Sequence, residues 1–175
     1  DAFSGGSVSD AAAASCTTTS VKGLSLQIIA ESNCIQPGAF EEVPDMPNLS
    51  KGSAVFAYMQ KPARDKLVSA LQANPSRSMS INSMLRTSAQ QFLLYRWYQL
   101  GRCGIGLAAK PGNSNHQGGL AIDINEYSSW KSTLQNNGFR WLGSSDPVHF
   151  DYNGSGAKWL LVEDSTQAEH LTAAT

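Results

Sequence analysis

The run Gly118-Gly119-Leu120-Ala121-Ile122-Asp123-Ile124-Asn125 restricts this chain more than any other stretch of it. Leu120 to Asn125 alternates as a strand does, with Ile122 and Ile124 on one face and Ala121 and Asp123 on the other. A strand of this kind buries its isoleucines in a core and sets its carboxylate on the opposite side. The glycines ahead of it let the backbone bend sharply, so that His116 can swing round to the face that carries Asp123. Downstream, Asp146-Pro147-Val148-His149-Phe150 offers a second histidine with a carboxylate three residues before it. Pro147 fixes the local turn and brings Asp146 and His149 to one rim. Two neutral imidazoles and one carboxylate suit zinc, and a site with three protein ligands keeps a position for water. The remaining carboxylate is then free to act as a general base, which outlines a hydrolase.

Taken singly, each of these residues has an ordinary reading. His116 among Gly and Asn reads as a solvated loop residue, Asp123 as a cap for the helix that follows, and His149 as a satisfied core histidine. Their joint occurrence carries the argument, because two of only three histidines fall in patterned segments, each paired with a carboxylate. The third, His170, sits in a polar tail and reads as surface.

The rest of the chain supplies helices first and strands late. Residues 1–20 are Ser, Ala, Gly and Thr with little apolar period, and read as an N-terminal arm, ordered only where it is tied down. Residues 21–175 form the domain proper. Helices are expected over Val21–Asn33, from Pro62 to Ala73, from about Ala89 to Leu100 after a Thr87 or Ser88 cap, and after a Ser128 cap up to Gly138. Strands are expected over Ser78–Ser83 (Met79, Ile81 and Ser83 on one face), Leu120–Asn125, Phe139–Leu142 and Val148–Tyr152. The tail from Ala157 reads as helix. This order predicts a single α+β domain with a central, mainly antiparallel sheet flanked by helices. Trp97 and Trp130 read as core, Trp159 as the head of the tail helix, and Trp141 as a residue able to line a cleft.

At 175 residues the chain is long enough for one enclosed core. The formal net charge of -1 gives no electrostatic footprint for nucleic acid. No apolar run approaches the ~20 residues that span a bilayer. The low charged fraction of 15% suits an extracellular protein, and a first residue of Asp rather than Met implies a processed or trimmed chain. Three cysteines, Cys16, Cys34 and Cys103, allow one disulfide plus a buried thiol in an oxidising compartment. Cys16 with Cys34 would clip the arm to the domain; Cys34 with Cys103 is equally open, as are three free thiols.

The pattern Ser-x-His-x-x-Gly-x-Ala-x-Asp at Ser114, His116, Gly119, Ala121 and Asp123, with acid-x-x-His at Asp146 and His149, resembles the D-alanyl-D-alanine carboxypeptidase family of zinc peptidases. That family shares its fold with the hedgehog signalling domain. Its Ser-Gly-Tyr-Arg-Ser-x-x-x-Gln element is matched at Ser83, Arg86 and Gln91, while Met84, Leu85 and Thr87 depart from it. The motifs span residues 83–150, under half of the chain.

The resemblance implies a hedgehog/DD-peptidase-like fold and one catalytic Zn2+ held by His116, Asp123 and His149. It makes Asp146 the base that takes a proton from the zinc-activated water and returns it to the leaving amine. Arg86 would hold a substrate carboxylate or polarise the scissile carbonyl, and Ser114 and Gln91 would contact substrate. The expected protein is a secreted bacterial metallopeptidase, a monomer, acting on peptidoglycan stem peptides or cross-links as endopeptidase or carboxypeptidase. The alternative from another class is a zinc-containing binding module without catalysis.

Overall fold

The computed structural model describes residues 6–158. Its first element, α1 (Val8–Ala14), lies inside the stretch expected to be an arm. The helix is made by a capping box, in which Asp10 N–H donates to Ser7 Oγ and Ser7 N–H to the Asp10 carboxylate. Alanines complete it, so its signal is a cap rather than an apolar stripe. A 3-10 turn at Thr18–Val21 leads into α2 (Lys22–Ile35). Short strands β1 (Glu41–Glu42), β2 (Leu49–Lys51) and β3 (Tyr58–Met59) follow, in a stretch with no sequence pattern strong enough to announce them. Then come α3 (Lys61–Gln72), with Pro in its first turn, β4 (Met79–Ser83) and α4 (Ser88–Gln99), capped by Thr87. The chain continues through β5 (Ala121–Ile124), α5 (Tyr127–Asn136), β6 (Phe139–Trp141) and β7 (His149–Tyr152). The expected tail helix, Trp159 and His170 lie outside the described residues.

The main sheet has the order β2-β4-β5-β7-β6, and β1 pairs with β3 in a separate antiparallel ribbon. Among the described residues only the β2–β4 pairing in the main sheet is parallel, so this α+β domain is mainly antiparallel as the element order predicts. One sheet face packs Ile81, Ile122, Ile124, Phe150 and Tyr152 against Leu67, Leu71, Trp130 and Leu134 of α3 and α5. A smaller core joins α1, α2 and α4 around Leu93 and Trp97.

Two local expectations are corrected. A register shift between Ile81 and Ser83 sets Ile81 opposite Ile124 but Ser83 opposite Asp123. The extra residue reverses the alternation, so Ser83 shares a face with Asp123 rather than with Ile81. The cap residue of α5 is Glu126, not Ser128, and it makes no side-chain cap bond. Its carboxylate accepts instead from Ser80 N–H and Oγ at 2.7 and 2.8 Å, tying α5 to β4.

The cysteines also differ from the Cys16–Cys34 reading. Cys16 is bonded to Cys103, and Cys34 is a free, exposed thiol. The reason is the docking of α1 on α4. Trp97 Nε1 donates to the Ala12 carbonyl at 2.9 Å, and Arg102 donates to the Ala13 carbonyl at 2.8 Å. These bonds close the open C-terminal end of α1 and deliver Cys16 to Cys103, four residues beyond the end of α4.

Candidate metal centre

Strand pairing builds half of the site. In β5 and β7, Asp123 stands opposite His149, and Ala121 opposite Asp151, on the face away from the isoleucine core. His149 Nδ1 lies 2.9 Å from Asp123 Oδ1. The bent loop before β5 brings His116 Nε2 to 3.3 Å from Asp123 Oδ2. One ligand atom from each of His116, Asp123 and His149 falls within 4.8 Å of the others. The two rings pack edge to face at 5.0 Å.

The His116 loop is held from below. Gly119, at φ +67°, makes the bend, whereas Gly118 keeps an ordinary conformation. Buried Gln60 fixes both: its N–H donates to the Gly119 carbonyl and its Nε2 to the Gly118 carbonyl, each at 2.8 Å. Gln117, next to His116, accepts from Gly112 N–H at 2.8 Å and closes the loop on itself.

Hydrogen-bond partners determine which ring nitrogens are free. His116 Nδ1 faces the Met84 carbonyl at 2.7 Å, which can only accept, so Nδ1 carries the hydrogen. His149 Nε2 faces Asp151 Oδ1 at 2.8 Å, a carboxylate that also takes Arg140 at 3.0 Å and Asn115 at 3.1 Å. Burial disfavours the charged form of Asp151, but these partners outweigh it and hold its pKa below the ordinary carboxylate value. It therefore accepts from Nε2–H. The lone pairs left over, on His116 Nε2 and His149 Nδ1, both face oxygens of Asp123. Acceptors opposed at this range require a cation between them, either protons on the rings or a divalent ion. The donor set fits zinc, with two imidazoles whose far nitrogens are both hydrogen-bonded and one carboxylate.

Arg86 joins the cluster. Its Nε donates to Ser83 Oγ at 3.0 Å, and its NH2 lies 3.5 Å from Asp123 Oδ2. Burial lowers the guanidinium pKa, and the charges of Asp123 and Asp146 work to restore it. Asp146 thus lies within electrostatic reach of Arg86, half-buried in the turn between β6 and β7. That turn is braced by Trp141 Nε1 donating to the Pro147 carbonyl at 2.8 Å and by His149 N–H donating to the Asp146 carbonyl at 3.2 Å. Trp141 itself stacks under Lys131 Nζ at 3.6 Å.

Ser114 and Gln91 stand apart from the ligand cluster. Ser114 is half-buried and uses its carbonyl to accept from Gln117 N–H. Gln91 is 1% exposed, and its Nε2 donates to the Ala109 carbonyl at 2.8 Å, under the loop that leads to His116. Its Oε1 has no partner among the described residues. Asp151, Arg140, Asn115 and Gln60 belong to none of the sequence motifs. For Asp151 a signal existed, since a residue two beyond His149 in a strand must share its face. Arg140 and Asn115 become neighbours only through strand pairing and loop closure.

No protein-family model matches this sequence, and no curated protein does. Solved structures do. The LdcB LD-carboxypeptidase, whose structure is described as revealing the molecular basis of peptidoglycan recognition, is 23% identical, with a TM-score of 0.53 over 69% of this chain and 71% of that one. The VanY D,D-pentapeptidase in complex with Zn(II) is 20% identical, with a TM-score of 0.45 over 74% and 89%. The L,D-carboxypeptidase DacB from Streptococcus pneumoniae is 23% identical, with a TM-score of 0.44 over 67% and 73%. The likeness to LdcB carries the assignment: this chain is a single-domain α+β protein with the fold of the LdcB LD-carboxypeptidase.

Proposed function

We propose that the protein is a secreted zinc metallopeptidase that hydrolyses peptide bonds in bacterial peptidoglycan. The observation that carries this reading is the pair of imidazole lone pairs turned onto one carboxylate, with both tautomers held by acceptors behind them. His116, Asp123 and His149 would hold the ion. Zinc bound there would supply a water acidified toward ~7 and a Lewis acid for the scissile carbonyl.

The chain's own groups do the rest. Asp146 accepts the proton of the attacking water and returns it to the leaving amine. Arg86, half-buried and charged, offsets the negative charge that develops on the carbonyl oxygen or grips a substrate carboxylate. Its bond to Ser83 fixes the guanidinium, and Ser83 is in turn fixed by the register shift in β4. Ser114, half-buried on the His116 loop, would contact substrate, and Gln91 supports that loop from beneath through the Ala109 carbonyl. The Cys16–Cys103 disulfide supports an oxidising, extracellular setting. LdcB is described by peptidoglycan recognition and LD-carboxypeptidase action, which favours stem peptides as substrate class here, with trimming of a terminal D-residue and cleavage within the stem or cross-bridge as the two modes.

The test is to incubate zinc-loaded protein with purified peptidoglycan and defined stem peptides and to identify products by mass. Zinc-dependent products that vanish in Asp146→Ala, with zinc content retained, support the enzyme. No product from any stem peptide, with stoichiometric zinc bound, identifies a binding module instead.

A further inference from the structure

We propose that Asp151 is the positioning residue of the metal centre, fixing the ring of His149 and joining the two ligand-bearing segments through one buried charge. The inference rests on the reading of His116, Asp123 and His149 as a metal site.

Asp151 is fully buried, at 0% exposure. A carboxylate in that position is costly unless every lone pair is engaged. Its partners come from separate parts of the chain: His149 Nε2 from β7, Asn115 Nδ2 from the loop before β5, and Arg140 from β6. Asn115 is the neighbour of His116 in sequence. Asp151 therefore grips one histidine by its ring and the segment of the other through an amide. Arg140 lies across from Asp151 in the β6–β7 pairing and neutralises it from the solvent side.

The two histidines are served differently. His116 receives a neutral carbonyl, that of Met84, and His149 receives a full negative charge. An anion behind an imidazole fixes its tautomer and orientation and makes the opposite nitrogen a stronger donor to a metal. Loss of the Asp151 charge should thus weaken ligation by His149 Nδ1 and leave His116 Nε2 ligation intact. A merely structural carboxylate would show no such asymmetry.

The experiment compares wild type, Asp151→Asn and Asp151→Ala by zinc affinity in chelator competition and by ring 15N shifts of both histidines in the zinc-loaded proteins. Asn keeps an acceptor oxygen without the charge, so affinity should fall by about 10-fold, and Ala should lose about 100-fold. In Asp151→Asn the His149 signals should shift, Nε2–H from its weaker acceptor and Nδ1 from weaker ligation, while those of His116 hold; in Asp151→Ala, which also releases Asn115, the His149 shifts should exceed those of His116. Should the Ala variant not fold, the Asn variant decides. Affinity within twofold of wild type, or equal disturbance of both histidines, would overturn the inference. A wild type that takes up no zinc would instead remove the metal reading beneath it.

Discussion

Gly119 lies against the ring of Phe40, closely enough that a Cβ added at position 119 would stand 2.8 Å from Phe40 Cδ1 and Cε1 and 3.2 Å from Gln60 N. Its φ of +67° is a second obstacle to any side chain. The bend that delivers His116 to Asp123 is therefore built for glycine at this position alone. Gly118, beside it, has its nearest neighbour for a Cβ, the Asn115 carbonyl oxygen, at 3.7 Å. Gly119→Ala should cost about 1–3 kcal/mol and weaken zinc binding, while Gly118→Ala should stay within about 0.5 kcal/mol of wild type. Urea unfolding and chelator titration of both variants check this, and equal behaviour of the two would contradict it.

The Cys16–Cys103 bond closes a loop with a sequence separation of 87 and secures α1 on α4. Its removal by Cys16→Ser should cost about 2–5 kcal/mol. Cys34→Ser, at an exposed free thiol, should leave the melting temperature unchanged. Thermal unfolding of the two variants under non-reducing conditions distinguishes this pairing from any that uses Cys34, which would reverse or equalise the losses.

His149 gives the fold a pH dependence of known sign. Burial works to lower its pKa, but the hydrogen bonds to Asp123 and Asp151 outweigh it and raise the value to about 9. Because this exceeds the unfolded value near ~6.5, the imidazolium stabilises the fold fully below about pH 6.5, and that contribution is lost as pH rises through about 9. Metal-stripped protein should then show a falling urea midpoint across that window. Zinc bound at the proposed site would flatten the curve, since the ion would replace the proton facing Asp123. A flat curve for the metal-stripped protein would contradict the placement of His149 between two carboxylates.

What was legible in the sequence follows from the range of the interactions. The β5 alternation, the Pro-started α3 and the Thr87 cap of α4 are local, and the chain states them within a few residues. The face of Asp123 and the convergence of His116 and His149 upon it were readable for the same reason, once the two segments were set together. Ser83 takes the face opposite to the one its alternation predicts, because a register shift leaves no trace in the pattern. α1 carries no apolar period, because its helix rests on one capping box and on Trp97 and Arg102, some 85 to 90 residues away. The same long-range docking decides the disulfide, which spacing alone left open. Gln60 and Arg140 act through partners remote in sequence, and nothing near them in the chain announces it.

The most direct test of the metal centre is the zinc content of the purified, zinc-equilibrated protein and of His116→Ala, by elemental analysis after exhaustive buffer exchange. A single catalytic ion held by His116, Asp123 and His149 predicts one zinc per chain in the wild type and none retained in the variant. Zinc absent from the wild type, or present in equal amount in His116→Ala, would contradict it.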